Sequence, residues 1–157
     1  MNAEGITFDS LRAAITSMAG KRVHVVGDTI VDSRTHTSLI GGQTKTPTFS
    51  VRYEGRSDYV GGAGIVAKHL SAAGADVTFS TVLGDDEIKE MVLADLASAG
   101  IACLPIIDSA RPTTIKNVFV AGGYHLLKVD TVDNSSVTDA TAKTLAESVN
   151  TTPVDAV

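Results

Sequence analysis

The feature that most constrains this chain is a glycine-rich run, Gly61-Gly62-Ala63-Gly64. It follows a polar, alternating stretch at 49–54 and precedes a helix-like segment at 65–73. Glycine adopts backbone conformations that are closed to other residues, so the chain can turn sharply there and leave main-chain amides facing a ligand. The run therefore predicts a strand-to-helix turn that forms one wall of a binding site.

The composition narrows the class of protein. With 157 residues and 43% apolar content, the chain can bury a core and fits a single domain. A net charge of -5 argues against nucleic acid or an anionic membrane as the main partner. Cys103 is the only cysteine, so no internal disulfide can form, and we expect a reducing, cytoplasmic compartment.

Most of the chain alternates between strand-like and helix-like segments, which predicts a parallel α/β sheet. Short apolar runs predict buried strands, and apolar residues at helical spacing, closed by glycine, predict helices. The expected strands are 23–26, 77–82 and 101–107. The expected helices are 8–19, 64–73, one that opens at 84–87 and ends at Gly100, and about 138–149. The last residues, 154–157, resemble the opening of another buried strand.

Two stretches differ from this pattern. Residues 33–60 are rich in polar residues and alternate in character, as in a sheet with one face in water. Residues 112–131 contain two strand-like runs around Gly122-Gly123, a pair that suits a two-residue hairpin turn. Together these stretches predict a small β element that is separate from the α/β core.

Two acidic residues follow the first buried strand. Asp28 and Asp32 lie just past residues 23–26. Ligands of open parallel sheets collect beyond the carboxyl ends of the strands, so carboxylates there can accept hydrogen bonds from hydroxyl groups. For Asp28 a role in a turn is an equal alternative. For Asp32 we favour ligand binding.

Other patterns have structural explanations of their own. Gly62 to Ala67 match the dinucleotide fingerprint G-x-G-x-x-A, but they follow a polar stretch rather than the first buried strand. A Rossmann-type nucleotide-binding domain and a purely structural turn stay as alternatives. The carboxylates at 85–87 are better explained as a helix cap than as a metal cluster. Lys116 is either a charge on a sheet edge or a residue that points into the site.

Considered as a set, these blocks resemble the ribokinase-like (PfkB) carbohydrate kinase family. Within that family the chain is most similar to the heptose-phosphate kinase domain of bifunctional ADP-heptose synthesis proteins. The blocks that carry the resemblance are Val25-Val26-Gly27-Asp28 with Asp32, Gly61 to Ala75, Leu83-Gly84-Asp85-Asp86, Arg111-Pro112-Thr113-Thr114-Ile115-Lys116 and Lys128-Val129-Asp130.

The resemblance implies an α/β parallel-sheet core, present here in part, with a small β-sheet lid inserted at about 33–60 and 112–131. It implies transfer of the ATP γ-phosphoryl group to a sugar or sugar-phosphate hydroxyl, with Mg²⁺. In this family the aspartate at the position of Asp32 binds sugar hydroxyls, and the glycines let the backbone approach the sugar. The expected substrate-binding residues are Asp28, Asp32, Gly61, Gly62, Gly64 and Lys116, with Lys116 neutralising a phosphate of the substrate.

The chain departs from the family in two ways. An asparagine that binds the sugar is expected just after the glycines, where this chain has Ile65 and Val66. The family's catalytic aspartate, anion hole and ATP site would follow Val157, so no catalytic or cofactor-binding residue is assigned. We therefore expect residues 1–157 to be the N-terminal part of a sugar kinase domain. We also expect a homo-oligomer formed through the lid or an exposed sheet edge. A non-catalytic carbohydrate-binding or dimerisation module is the alternative.

Overall fold

The computed structural model describes residues 5–41 and 47–157. Residues 42–46 of the first expected lid segment lie outside the described residues. The elements in chain order are α1 (Phe8–Thr16), β1 (Arg22–Val26), β2 (Thr29–Gly41), β3 (Ser50–Gly62), α2 (Ala63–Ala72), β4 (Asp76–Leu83), α3 (Glu87–Ser98), β5 (Ala102–Ile107), β6 (Thr114–Ala121), β7 (Tyr124–Thr131) and α4 (Asp139–Thr151). None of the helices in the described part of the chain is long and apolar enough to cross a membrane.

The core is a three-stranded parallel sheet in the order β1-β4-β5. Its central strand β4 is largely buried, and Val77, Phe79 and Leu83 are almost fully buried on one face. Helices α2 and α3 pack against it through Ala67, Leu96 and their neighbours. A strand buried on both faces needs a continuous apolar run, which is why the short apolar segments of the sequence became these strands. The expected parallel α/β core is confirmed.

The second sheet, called the lid sheet below, has four strands in the order β3-β2-β6-β7. Strands β2 and β3 are antiparallel, β2 and β6 are parallel, and β6 and β7 form the expected hairpin. Gly122 and Gly123 both have positive φ, at 56° and 87°, as such a two-residue turn requires. The lid strands extend closer to the core than the expected segment 33–60. Strand β2 begins at Thr29, and β3 ends at Gly62.

The position of Lys116 corrects one expectation. Lys116 lies in β6, which has β2 on one side and β7 on the other. A charge that discourages pairing between sheets would have to lie on an outer strand. Lys116 is therefore not an edge charge. It lies on an inner strand, and its side chain is exposed.

Two buried hydroxyl groups join the lid sheet to the core, at what we call the lid root. Thr29 in β2 shares a hydrogen bond of 2.9 Å with the Thr81 hydroxyl of β4. Thr113, just before β6, donates both its N–H and its hydroxyl to Asp86, over 2.8 and 3.0 Å. Its hydroxyl oxygen accepts the N–H of Gly84 at 3.0 Å. Both connections meet the carboxyl end of β4, so the lid sheet stands over that end of the core sheet.

The last residues return to the free side of β1. Ala156 forms a parallel bridge with Val23, and its carbonyl accepts the N–H of His24 at 3.0 Å. Asp155 accepts hydrogen bonds from both the backbone and the side chain of Arg22. These bonds lower the pKa of Asp155 to about 2. The segment expected to open a further strand thus lies where a strand next to β1 would begin.

Candidate functional site

The carboxylate of Asp32 lies directly against the main chain at Gly61. Strand pairing brings them together, because Asp32 is opposite Tyr59 and Gly61 is opposite Ile30, two residues along on the same face. A Cβ atom built on Gly61 would overlap with Oδ2 of Asp32. Only glycine leaves room for the carboxylate at this point. The two residues that the sequence singled out for one wall of a site are therefore in contact.

Gly62 makes the turn from the lid sheet into α2. Its φ of 60° favours glycine, and a Cβ there would lie 2.5 Å from the carbonyl oxygen of Asp28. The N–H of Ala63, the first amide of α2, donates to that same carbonyl at 2.9 Å. The amide of Ala63 is therefore already bonded, whereas the sequence suggested that it would face a ligand. Because Gly61 and Gly62 have no side chain, the Asp32 carboxylate and the Asp28 carbonyl can lie close to the backbone at these two positions.

Gly64 does not lie with the other predicted site residues. It is buried, and a Cβ at this position would lie 2.5 Å from Cγ1 of Val60 and 3.7 Å from the ring of Phe79. Gly64 thus lets α2 pack closely on the core. Next to it Ile65 and Val66, at the positions where the family resemblance suggests asparagine, are 37% and 49% exposed. The first turn of α2 presents apolar side chains where a polar one was expected.

One face of the lid sheet forms a hollow of about 590 Å³, called the lid-face hollow below. Because side chains alternate along a strand, its main lining residues are spaced by two along β2 and β6, and a bulge in the pairing of β6 with β7 brings His125 into the same face. The row nearest the core runs from Tyr59 across Asp32 and Lys116 to Asp130. Nζ of Lys116 lies 3.4 Å from Oδ2 of Asp130. Lys116 therefore stands between two carboxylates, with Asp32 opposite it on the other neighbouring strand.

Two further rows of the same hollow were missed by the sequence analysis. The second row contains Arg34, Val118 and Lys128, and the third ends in His36 and His125. The signal that could have found them is the exposed i, i+2 spacing of Asp32, Arg34 and His36. That spacing predicts a shared face. It could not reveal that β6 and β7 complete the same surface, because strand order is a tertiary property.

A second hollow of about 460 Å³ lies at the lid root. Asp28, Ile30 and Thr114 line it, and Lys116 lines both hollows. The exposed carboxylate of Asp28 is therefore at the carboxyl end of β1, as expected from the sequence, but in the root hollow rather than beside Asp32. Arg111 forms part of the wall and is engaged by Asp108 at 3.4 Å, so its charge is compensated.

The carboxylates at 85–87 lie at the start of α3, where the sequence predicted a helix cap. Asp86 is the N-cap of α3 and accepts the N–H of Lys89 at 3.1 Å. Burial raises the pKa of Asp86, but the hydrogen bonds from Thr113 and Lys89 outweigh it, and the net pKa is lowered. Cys103 is half-buried, and burial raises the pKa of its thiol to about 11, so it is a poor nucleophile.

The model of the pfkB family carbohydrate kinases matches residues 21–152, which is most of the chain. The chain belongs to this family. The match includes every block on which the sequence resemblance rested, together with both segments of the lid sheet and the core strands that carry it. The expected family membership is confirmed.

Relatives of this pfkB-family chain include bifunctional proteins. The protein named "Bifunctional protein HldE" of Rhodopseudomonas palustris is 39% identical over 129 residues, 78% of this chain and 25% of its own length. The D-beta-D-heptose 7-phosphate kinase of Bordetella bronchiseptica is 34% identical over 113 residues, 72% of this chain and 36% of its own length. The chain thus spans about a quarter to a third of these curated relatives.

Solved structures show the same fold. Phosphofructokinase-2 from Escherichia coli superposes with a TM-score of 0.62 at 18% identity, over 88% of this chain and 43% of that chain. A phosphofructokinase described as putative, from Staphylococcus aureus, gives a TM-score of 0.61 at 14% identity, over 83% and 40%. At these identities the likeness concerns the fold, a parallel core with a separate sheet, and it confirms the expected ribokinase-like class.

Proposed function

We propose that this chain forms the sugar-binding wall and the lid of an ATP- and magnesium-dependent kinase that acts on a sugar or sugar phosphate. The observation that carries the proposal is the contact between the Asp32 carboxylate and the Gly61 main chain. A carboxylate fixed at the edge of an open hollow accepts hydrogen bonds from two neighbouring hydroxyl groups. The glycine beneath it leaves the space that this carboxylate occupies.

The other candidate residues take supporting roles in this proposal. Asp28 accepts hydroxyl hydrogen bonds in the root hollow, and Gly62 holds the bend that carries Gly61. Lys116 lies between the hollows and compensates the charge of Asp32 and Asp130. Gly64 is left out, because it packs in the core. No hydrogen bond from α2 is assigned, since Ile65 and Val66 are apolar.

The kinase step itself needs groups that we do not assign to this chain. A sugar hydroxyl attacks the γ-phosphorus of ATP, the bond to the bridging oxygen breaks, and the hydroxyl proton leaves to a base. Within residues 5–41 and 47–157, no group of three or more His, Cys, Asp or Glu side chains is placed to hold a metal ion. No metal-binding role is therefore assigned to the described residues, and no step is derived through Mg²⁺.

The proposal is tested by measuring binding of D-β-D-heptose 7-phosphate, the sugar phosphate in the name of one relative, by calorimetry. Asp32→Asn keeps the shape and removes the charge, and we expect the affinity to fall about tenfold to a hundredfold. Gly61→Ala displaces the carboxylate and should have a similar effect. Asp76→Asn, at the amino end of β4, is the matched control. Equal affinities for all four proteins would refute the proposal.

The same experiment separates the alternative of a non-catalytic carbohydrate-binding module. Both hypotheses predict sugar binding that depends on Asp32, so binding alone does not distinguish them. Phosphoryl transfer from ATP by the intact natural gene product would support the kinase, and sugar binding without transfer would support the module. A Rossmann-type domain is disfavoured, because the G-x-G-x-x-A match follows β3 of the lid sheet rather than a core strand.

A further inference from the structure

Tyr59 places an aromatic ring at the rim of the lid-face hollow. The residue lines the hollow and is 64% exposed. It lies on β3, an outer strand of the lid sheet, so none of the described strands covers the ring on that side. The rest of its row consists of the charged residues Asp32, Lys116 and Asp130. The row nearest the core therefore begins with a large apolar surface that is open to a ligand.

The ring stands beside the carboxylate that we assign to the sugar. Tyr59 is directly opposite Asp32 in the antiparallel pair of β2 and β3. Directly opposed residues have Cβ atoms about 5 Å apart on the same face of the sheet. The Asp32 carboxylate lies against Gly61, two residues beyond Tyr59 on that face. A ligand held by this carboxylate therefore lies within van der Waals reach of the Tyr59 ring.

Exposure alone does not set Tyr59 apart from the other tyrosine of its strand. Tyr53 also lies on β3 and is 66% exposed. It is opposite Thr37, whose side chain is on the other face of β2 from Asp32, so Tyr53 points away from the hollow. Tyrosine is common in strands, and that preference is enough to explain Tyr53. Tyr59 differs because it combines a hollow in front of the ring with a carboxylate beside it.

A sugar ring matches this pair of groups. The hydroxyls of a pyranose point outward from its edge, and one face of the ring can consist of C–H bonds alone. Such a face packs on an aromatic ring through apolar and weak C–H···π contacts, while a carboxylate accepts the hydroxyls at the edge. Covering the exposed ring of Tyr59 also removes apolar surface from water, which favours binding.

We propose that Tyr59 is a platform on which the C–H face of the sugar ring stacks while the hydroxyls at its edge bind Asp32. The proposal rests on the proposed function for the place of the sugar, and it adds the orientation of the sugar ring. It makes Tyr59 a determinant of stereochemical specificity, because an axial hydroxyl on the stacked face would hold the two rings apart. The aromatic face carries this role, and the phenol hydroxyl is not needed for it.

The first test measures the affinity for D-β-D-heptose 7-phosphate, the sugar phosphate in the name of one relative, by calorimetry. Tyr59→Leu removes the aromatic face, and we expect the affinity to fall about tenfold. Tyr59→Phe keeps the face and should stay within about twofold of the native chain. Tyr53→Leu makes the same change on the opposite face of β3 and serves as the matched control. Circular dichroism of each variant checks that the fold is unchanged.

The second test identifies the stacked face of the sugar. Methyl β-D-glucopyranoside has one face with only axial C–H bonds, and in its epimer methyl β-D-allopyranoside an axial hydroxyl interrupts that face. When the aromatic protons of the native chain are saturated by NMR, the protons on the C–H face of the glucoside should receive most of the transfer. The alloside should receive less. Both the transfer and the difference between the epimers should persist in Tyr59→Phe and be lost in Tyr59→Leu.

The outcomes separate the platform from the proposed function. If Tyr59→Leu binds the heptose phosphate as tightly as the native chain, or Tyr59→Phe loses as much affinity as Tyr59→Leu, the platform is refuted and the role of Asp32 stands. If the heptose phosphate does not bind, but the glucoside receives transfer that depends on Tyr59, the platform stands and the proposed function fails. If no sugar receives transfer from the aromatic protons of the native chain, the platform is refuted.

Discussion

At the scale of single residues, the buried histidine of β1 shows how one side chain can make stability depend on pH. His24 is fully buried, and its Nε2 lies 2.8 Å from Oγ of Ser80. Ser80 is 2.9 Å from Oγ of Ser148, whose hydroxyl donates to the carbonyl of Leu145. Because Ser148 uses its hydroxyl hydrogen on Leu145, the Ser80 hydroxyl donates to Ser148, and the Ser80 oxygen accepts the Nε2–H of His24. The other ring nitrogen, Nδ1, has no partner among the described residues.

We therefore predict that stability falls in mild acid because of His24. Burial lowers the pKa of its imidazole below the ordinary value of 6.5. The unfolded chain consequently binds a proton at a higher pH than the folded chain does. The contribution of His24 to stability is complete above pH 6.5 and decreases as the pH falls below that value. Urea unfolding at pH 7.5, 6.5 and 5.5 measures it.

The control for this prediction is His24→Leu, which fills similar space and does not titrate. Its free energy of unfolding should change less between pH 7.5 and 5.5 than that of the native chain. His69→Leu, on the exposed side of α2, should leave the native pH dependence in place. An identical slope for the native chain and His24→Leu would contradict the assignment.

At the scale of elements, the lid root decides how firmly the lid sheet is held over the core. The Thr113 hydroxyl donates to Asp86 and accepts from the N–H of Gly84, and Thr113 is only 2% exposed. Gly84 has to be glycine, because a Cβ there would lie 2.5 Å from the backbone nitrogen of Thr113. Asp86 also caps α3. One carboxylate thus ties a core helix to the first residue before a lid strand.

We predict that Thr113→Val loosens the lid sheet more than the core. Valine fits the same space but leaves the Gly84 N–H without its acceptor and Asp86 with one donor fewer. The free energy of unfolding should fall by about 1–3 kcal/mol. Amide hydrogen exchange should rise in β6 and β7 while β4 and β5 stay protected. Thr113→Ser keeps the hydroxyl and should stay close to the native chain. A uniform rise across both sheets would show that the bond has no special role at the lid root.

The elements also show how far the sequence alone could lead. Core strands and helices were predictable from short apolar runs and from apolar residues at helical spacing, and Gly74 and Gly100 marked the ends of α2 and α3. The contact between Asp32 and Gly61 was foreseeable from family resemblance. The role of Gly64 was not, since a glycine against a ligand and a glycine against Val60 look alike in sequence. The row of Arg34 and Lys128 depends on the parallel pairing of β2 with β6, which joins residues about 80 positions apart.

At the scale of the whole molecule, both sheets have open edges with apolar side chains in water. On the lid sheet, Leu127 and Val129 of β7 share a face with Tyr124, and all three are exposed. On the core sheet, Leu104 and Ile107 of β5 are also exposed. Open edges offer unpaired backbone groups to a second chain, and apolar side chains add a favourable area to bury. We therefore expect the chain to associate with itself.

The β7 edge is the stronger candidate, because its three exposed residues form one continuous strip, whereas β5 offers only two. Sedimentation equilibrium over a range of concentrations should show a dimer that dissociates on dilution. Val129→Lys places a charge in the strip and should shift the equilibrium to monomer, while Leu104→Lys should leave it in place. The reverse pattern would assign the association to the core sheet. A monomer at every concentration would contradict association through either edge.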